Sequence, residues 1–434
     1  MSATTNGVTT NGVAANGNGS ASGYKWHNKY PHLGTGPIPA DVFISEEQFA
    51  LERERIFEKV WLNVGRVERI PNAGDYFVQD LAVCNTSVIV VRGKDGAVNA
   101  FHNMCSHRGN KIAWDKGGTC QNFTCKFHGW SYGLDGKLKF VPDEESFFDL
   151  KKETLGLTPV AVDTWGGFIF INVDPNPQET LQEYLGDLGV GLAEYPFEDL
   201  STTSTSWTSE VNANWKVIKD AFQEVYHVAF LHKRSIPDSF TSKANPYAHA
   251  LDVRLYPRHG SMSLFGNAGL EPTPVAELAF SQGAFILRKD FSASRLPPSV
   301  NPTRSPEWAL DLNVIFPAFF VDVSEESYFT HQFIPVSVDK TLWTSTQYYP
   351  KAKNPGQRFS QEYGNVIFRD IIMEDGRTFE ETQSVLSSGA KKEFYLHDEE
   401  ILVRHSHHVI DQMLNGQPVD TAFAANGKEA GAHA

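Results

Sequence analysis

With 434 residues, 41% hydrophobic and 21% charged, the chain has an ordinary globular composition and is long enough for two domains with sizeable cores. No run of roughly eighteen apolar residues occurs, so no membrane-spanning helix is expected, and a formal charge of -14 argues against a nucleic-acid partner. Of the four cysteines, Cys84 and Cys120 read as reduced structural thiols of a cytoplasmic protein. The other two belong to the motif below.

Residues 1–23 are mostly Asn, Gly, Ser, Thr and Ala without a charged side chain, which predicts a disordered tail. The stretch has neither the basic nor the apolar region of a secretory signal, and it lacks the Arg of a transit peptide. Ser45 and Gln48 predict a capping box, and Phe49, Ile56, Phe57 and Val60 follow at helical spacing. An amphipathic helix is therefore expected from Ser45 to Glu58. From Trp61 to Val173 the pattern turns to short β-type runs, among them 87–91 and 167–171. Turn signals at Lys94-Asp95-Gly96 and Leu134-Asp135-Gly136-Lys137 divide them.

Within this β region stands Cys105-Ser106-His107, followed after seventeen residues by Cys125-Lys126-Phe127-His128. Two thiolates and two imidazoles, in mixed Cys–His pairs, are the ligand set of a Rieske [2Fe–2S] centre, two cysteines on one iron and two histidines on the other. A structural zinc site can also use two of each, but its ligands usually pair like with like. Arg108, Lys111, Lys116 and Lys126 surround the motif against only Asp115. This basic face either steers an acidic electron donor or is simply solvated.

Pro175-Asn176-Pro177 closes the β region, a helix is expected over Leu181 to Leu192, and a second domain starts near Thr202. Strands are expected at 283–287, 312–316, 319–323, 330–334 and 342–349, and helices at 358–386 and 399–414. One helix from Trp215 to His232 carries a buried stripe, with Asp220, Glu224 and His227 sharing another face. His227 and His232 would diverge by about 140° on an ideal helix. They reach one ion only if the helix widens to a π-turn or ends between them.

These motifs resemble those of the catalytic alpha subunits of Rieske non-haem iron ring-hydroxylating oxygenases over nearly the whole chain outside the two tails. The resemblance implies an α+β fold with an N-terminal antiparallel β Rieske domain. A catalytic domain with a helix-flanked antiparallel sheet of the helix-grip (START-like) kind follows. It implies a [2Fe–2S] cluster on Cys105, His107, Cys125 and His128, and a mononuclear Fe(II) on His227, His232 and one carboxylate. The run from Glu374 to Ser388 resembles the family's E-D-x4-E-x-x-Q-x-x-L-x-S and selects Asp375 as that carboxylate, with Asp370 as competitor. Glu224 takes the place of the family's bridging carboxylate, often Asp; Glu occurs in some members, including monooxygenases acting on quaternary amines. Asp220 stands where an Asn is frequent, either to shift the charge at the iron or to form a buried salt bridge.

The implied layout is a tail and lead-in over 1–40, a helix at 41–60 packing on the catalytic domain, the Rieske domain at 61–175, the catalytic domain at 176–415 and a disordered tail at 416–434. Electron transfer would cross between subunits of a homotrimer, with a beta subunit as a further possible partner. The chain has no dinucleotide fingerprint or ferredoxin cysteine spacing, so an NAD(P)H-dependent flavin reductase, a ferredoxin, or both would supply electrons. Phe222, Phe230, Phe265, Phe285, Ile286, Phe316 and Phe319 suggest a greasy pocket for a hydrophobic, aromatic ring substrate of an O2-dependent hydroxylation, with ordinary core packing as the simpler reading of most of them. The alternatives are monooxygenation or demethylation of a non-aromatic or amine substrate, and a Rieske electron-transfer protein without oxygenase activity.

Overall fold

The computed structural model describes residues 25–283 and 296–419. Helix α1 (Glu46–Glu52) starts where Ser45 Oγ accepts the Gln48 N–H at 3.1 Å, and it widens into a π-helical stretch over Arg53–Phe57. Gln48 turns its amide to Glu52 rather than back to the cap, so the reciprocal half of the expected box is missing. Glu52 is itself buried, accepting from Lys216 Nζ at 2.7 Å and Trp215 Nε1 at 2.8 Å, and so ties α1 to the second domain. The lead-in that follows the expected tail is ordered from Lys25 onwards. Trp26 is buried, and the Trp26 and His27 N–H groups both donate to Asp398. Ile38–Pro39 pairs with Glu393–Phe394. Residues 1–24, 284–295 and 420–434, which hold most of the two expected tails and of the expected 283–287 strand, lie outside the described residues.

Ten strands follow: β1 (Leu62–Arg66), β2 (Asp75–Leu81), β3 (Thr86–Arg92), β4 (Val98–His102), β5 (Gly117–Thr119), β6 (Phe123–Thr124), β7 (Ser131–Tyr132), β8 (Leu138–Phe140), β9 (Ala161–Trp165) and β10 (Phe168–Asn172). They form antiparallel sheets in the orders β4-β3-β2-β5, β6-β7-β8 and β9-β10-β1. The unbroken apolar run Val88-Ile89-Val90-Val91 has a core on each side. Val88 and Val90 face the large core shared with the second domain, while Ile89 and Val91 face a smaller one that also contains Cys105 and Cys125.

The second domain begins with α2 (Leu181–Leu192) and is built on a seven-stranded antiparallel sheet. Its strands are β11 (Thr203–Val211), β12 (Asp252–Leu255), β13 (Gly260–Phe265), β14 (Trp308–Ile315), β15 (Phe319–Val323), β16 (Tyr328–Ser337) and β17 (Lys340–Tyr349), in the order β11-β17-β16-β15-β14-β13-β12. Helices α3 (Trp215–Ala221), α4 (Pro355–Leu386) and α5 (Ile401–Leu414) flank it. The architecture is α+β, with antiparallel sheets and helices in both parts. Asn354 caps α4 through the Gln357 N–H at 2.9 Å, and Pro355 occupies the first turn, where its missing N–H costs nothing. Gly364, Phe368, Ile372, Asp375 and Phe379 recur at spacings of three and four and are buried, so α4 lays one stripe on the sheet.

The expected helix from Trp215 to His232 is broken. α3 stops at Ala221, and only a single turn, Val228–Leu231, resumes beyond it. His227 and His232 sit at the two ends of that turn, and the shared helical face expected for Asp220, Glu224 and His227 does not form.

Candidate metal centres and the adjoining cavity

Two loops of the same construction project from the β domain. In the first, Cys105 N–H donates to Asn110 C=O at 2.9 Å and Gly109 N–H to Cys105 C=O at 2.9 Å. In the second, Cys125 N–H donates to Trp130 C=O at 2.8 Å and Gly129 N–H to Cys125 C=O at 2.9 Å. Each loop closes through a glycine of positive φ, 73° at Gly109 and 76° at Gly129, a conformation other residues adopt only under strain. The His107 and His128 rings lie 4.6 Å apart by centroid, and His107 stacks on Trp130 at 4.9 Å.

The donor set between the loops fits a cluster with two sulfur and two nitrogen ligands. His107 Nδ1 is buried without a hydrogen-bond partner, the condition of an atom shaped to meet a ligand. Tyr132 Oη stands 3.2 Å from Cys105 Sγ and 3.1 Å from Ser106 N, and Asn110 Nδ2 donates to Cys125 Sγ at 3.8 Å. Burial raises the Cys105 thiol pKa. It acts the same way on Cys125, but hydrogen bonds from the Phe127 and His128 N–H groups, together with Cys105 and Asn110, outweigh it and draw that pKa down. The remaining thiols are inert by comparison, burial pushing Cys84 up to about 12 and Cys120 up to about 11. The basic side chains around the loops lie over exposed rings or pair locally: Arg108 over Phe127, Lys126 over Trp114, and Lys111 with Asp80 at 3.0 Å.

In the second domain His227, His232 and Asp375 each offer one atom within 4.8 Å of the others. His232 Nε2 is 3.1 Å and His227 Nε2 3.8 Å from Asp375 Oδ1. Each ring is held from behind. Glu224 Oε1 pairs with His227 Nδ1, and Glu374 Oε2 lies 2.8 Å from His232 Nδ1 while also accepting from Ser235 Oγ at 2.8 Å. Carboxylates on both Nδ1 atoms fix the tautomers and leave both Nε2 atoms facing Asp375, the arrangement that suits a divalent metal on two imidazoles and one carboxylate. Burial opposes charge on the two rings, yet the facing carboxylates raise both pKa values.

Asp370 takes no part. It is half exposed and bound to Arg369 at 2.6 Å, because five residues along a helix turns it away from the stripe that buries Asp375. Asp220 does not enter the triad either. Its carboxylate accepts from His407 Nε2 at 2.7 Å and pairs with Lys219 Nζ at 3.0 Å, the buried salt bridge of the two readings considered.

A partly open cavity of about 120 Å³ lies between the triad, the sheet and α4. Of the seven apolar residues expected around it, five are described, and of those only Phe222 lines it. Phe230 is exposed; Phe265, Phe316 and Phe319 are core side chains; Phe285 and Ile286 lie outside the described residues. Core packing is therefore what most of the described ones do, since an apolar residue on a strand meets the cavity only if its face of the sheet does. Asp322, His331 and Gln347, which do line it, were missed, as was the orienting role of Glu374. A carboxylate inside the apolar run Phe319-Phe320-Val321-Asp322-Val323 was the available signal for the first.

Two family models match the chain: a Rieske [2Fe-2S] domain over residues 60–161, and the ring hydroxylating alpha subunit (catalytic domain) over residues 197–416. The carnitine monooxygenase oxygenase subunit of Escherichia coli (strain K12) is 33% identical over 197 residues, 45% of this chain and 52% of that protein. The glycine betaine monooxygenase oxygenase subunit of Chromohalobacter salexigens is 36% identical over 200 residues, 46% of this chain and 44% of that one. Biphenyl 2,3-dioxygenase subunit alpha of Rhodococcus jostii is 31% identical over 253 residues, 54% and 53% of the two chains. The chain thus spans about half the length of the curated relatives it matches. In fold, it superposes on a quaternary ammonium Rieske monooxygenase in complex with L-carnitine with a TM-score of 0.69 at 21% identity, covering 88% of this chain and 97% of that one. Naphthalene 1,2-dioxygenase from Rhodococcus sp. bound to indole gives 0.68 at 21%, covering 92% and 100%.

Proposed function

Because this chain belongs to the ring hydroxylating alpha subunit family, with a Rieske domain ahead of the catalytic domain, we propose that it is the terminal component of a multicomponent oxygenase. The observation that carries the reading is the convergence of His227, His232 and Asp375, two of them at the ends of one helical turn and the third on α4, beside a largely apolar cavity. Cys105, His107, Cys125 and His128 would hold the [2Fe–2S] cluster, and the triad a mononuclear Fe(II). When bound, these groups supply single-electron delivery and reductive activation of O2. The chain's own part is to orient the ligand rings through Glu224 and Glu374, to seat the substrate beside them and to keep bulk water out. Electrons come from a separate NAD(P)H-dependent reductase, directly or through a ferredoxin.

For the substrate, the first reading is monooxygenation or demethylation of a small alkylamine. The carnitine and glycine betaine monooxygenase relatives, and Glu224 in the bridging position, support this reading. Hydroxylation of a single small aromatic ring is the second reading, favoured by the apolar walls and the biphenyl dioxygenase relative.

We infer a homotrimer in which Glu224 links His227 to His128 of a neighbouring subunit; the pairing of Glu224 with His227 Nδ1 supports its near half. The test has two arms. Anaerobically purified protein is assayed for iron, acid-labile sulfide and low-temperature EPR, then given a reductase, O2 and a panel of small amines and arenes. Zinc in place of iron and sulfide would sink the reading, as would a product from none of the panel. In the second arm, chains carrying His128→Ala are mixed with chains carrying His227→Ala. Restored turnover is expected, and its absence from mixed trimers verified by native mass spectrometry would overturn the intersubunit link.

A further inference from the structure

Resting on the reading of the cavity beside the triad as the substrate site, and not on the choice between amine and arene, we propose that Gln347 and Asp322 position the substrate through an uncharged hydroxyl that it carries. The hydroxyl donates to Gln347 Oε1 and accepts from the Asp322 carboxyl. Strand register places the pair. Asp322 stands opposite Phe329 across β15 and β16, and Phe329 opposite Gln347 across β16 and β17, so the three share one row, and all three line the cavity. Neighbouring strands lie about 4.8 Å apart, which puts Asp322 and Gln347 roughly 10 Å apart at Cα. Two side chains and one ligand oxygen between them can bridge such a span.

Much of the wall around the row is apolar, with Leu264, Leu310, Leu312, Phe368 and Ile372 among its members. Against it the two polar side chains stand out. Gln347 is 6% exposed, and its Oε1 is buried with no hydrogen-bond partner. A carbonyl so placed has given up water and gained nothing for it. Asp322 is 3% exposed, and the one hydrogen bond to it among the described residues is the Asn313 N–H donating to Oδ1 at 3.1 Å. That bond serves the sheet, since Asn313 has no paired residue on β15 where the register passes from Asp311↔Val323 to Val314↔Phe320. The second oxygen, Oδ2, is left over. The other carboxyl groups at the cavity are engaged, Glu224 by His227 and Asp375 by both histidines. Buried polar groups left unpaired in a largely apolar cavity mark where a ligand supplies the partner.

The chemistry of the pair selects the ligand group. Burial opposes ionisation of Asp322 and holds its pKa well above the ordinary carboxylate range, so Asp322 is a neutral acid with an O–H to give. The Gln347 carbonyl needs a donor. A hydroxyl answers both, because it donates once and still accepts. A methyl group in its place leaves both buried groups unpaired, the situation in which a site discriminates most strongly between analogues.

The test is calorimetric titration of the metal-loaded protein, anaerobic and without reductant, so that no turnover is read. The probes are phenol and toluene, which match in size and differ in the one polar group. The wild type is expected to bind phenol at least about tenfold more tightly than toluene. Gln347→Met keeps the length of the side chain and removes a group that holds nothing in the fold. It should weaken phenol by about tenfold and leave toluene within about threefold. Asp322→Asn still accepts from Asn313 N–H and offers an N–H in place of the carboxyl O–H, so phenol should stay within about threefold. Infrared difference spectra read Asp322 directly. The carbonyl stretch of a protonated carboxyl, present in the wild type and absent from Asp322→Asn, should shift when phenol binds and stay put with toluene. The proposal is overturned if phenol fails to bind or binds no better than toluene, or if Gln347→Met keeps the preference, as it would were phenol held by the iron. A carboxyl stretch that phenol leaves unmoved would overturn it too and make Asp322 a residue of the sheet alone. Failure of oxygenation with every amine and arene would instead sink the preceding reading and leave this order of affinities intact.

Discussion

His232 Nε2 stands 3.1 Å from Asp375 Oδ1, with Glu374, the neighbour of Asp375 on α4, reaching round to His232 Nδ1 at 2.8 Å. One helix thus supplies both the carboxylate that shares the metal position and the carboxylate that aims the histidine at it.

Replacing His227, His232 or Asp375 by Ala should abolish mononuclear iron while the visible spectrum of the Rieske centre stays, because the two ligand sets lie in separate domains. Asp370→Ala should change neither. Glu374→Ala frees the His232 ring, and a tenfold to hundredfold loss in iron affinity is the order expected of such a partner. Iron titration followed by EPR reads all of these. Full iron occupancy in Asp375→Ala would refute the assignment.

Tyr132 reaches Cys105 Sγ and the Ser106 N–H with a single hydroxyl. A hydrogen bond to a ligand sulfur stabilises the reduced, more negative cluster, so Tyr132→Phe should lower the Rieske potential and leave the sulfide content unchanged. Protein-film voltammetry measures the shift. A potential equal to that of the wild type would show that the hydroxyl serves the loop alone.

Glu52 and Lys216 form an ion pair with both side chains almost fully buried. Glu52→Ala leaves Lys216 charged and unpartnered, a change that costs about 3–5 kcal/mol. Glu52→Leu combined with Lys216→Met should recover most of that loss, since it removes both charges. Denaturant midpoints of the three proteins test the pair, and a double variant no better than Glu52→Ala would contradict the argument.

His259 is buried between α2 and the end of β14, within 2.7 Å of Tyr184 O through Nε2 and accepting Phe316 N–H through Nδ1 at 3.0 Å. Burial lowers its pKa from 6.5 to about 4, so the unfolded chain takes up the proton first as pH falls. Its contribution, about 3 kcal/mol, is complete above pH 6.5 and is lost as the pH drops towards 4. The stability advantage of the wild type over His259→Asn should therefore shrink across that window. An advantage independent of pH would mean that packing, and not the neutral ring, is what counts.

The nine positions singled out in the sequence divide by how locally their geometry is determined. Cys105, His107, Cys125 and His128 were legible because a short loop closed by Gly109 or Gly129 sets its own shape, and spacing within it is geometry. His227 and His232 were legible as a pair but not as a helix. The helix stops after Ala221 and resumes only as the turn Val228–Leu231, a break that the periodicity of the apolar residues does not record. Asp375 was separable from Asp370 by resemblance to a motif, and in the fold by the α4 stripe that buries one and exposes the other. Asp220, a candidate for charge at the metal, went instead to Lys219 and His407, because α3 points it at α5.

By itself the sequence determined most element types and the two Cys–His loops, since these follow from periods and spacings of a few residues, while the antiparallel catalytic sheet and the choice of Asp375 came with the family resemblance. Only the tertiary structure decided which carboxylates stand behind the histidines and which side chains wall the cavity. It also decided that Asp322, Phe329 and Gln347 share one row. Those choices depend on strand register and on which face each strand presents, and a shift of one residue would turn all three away.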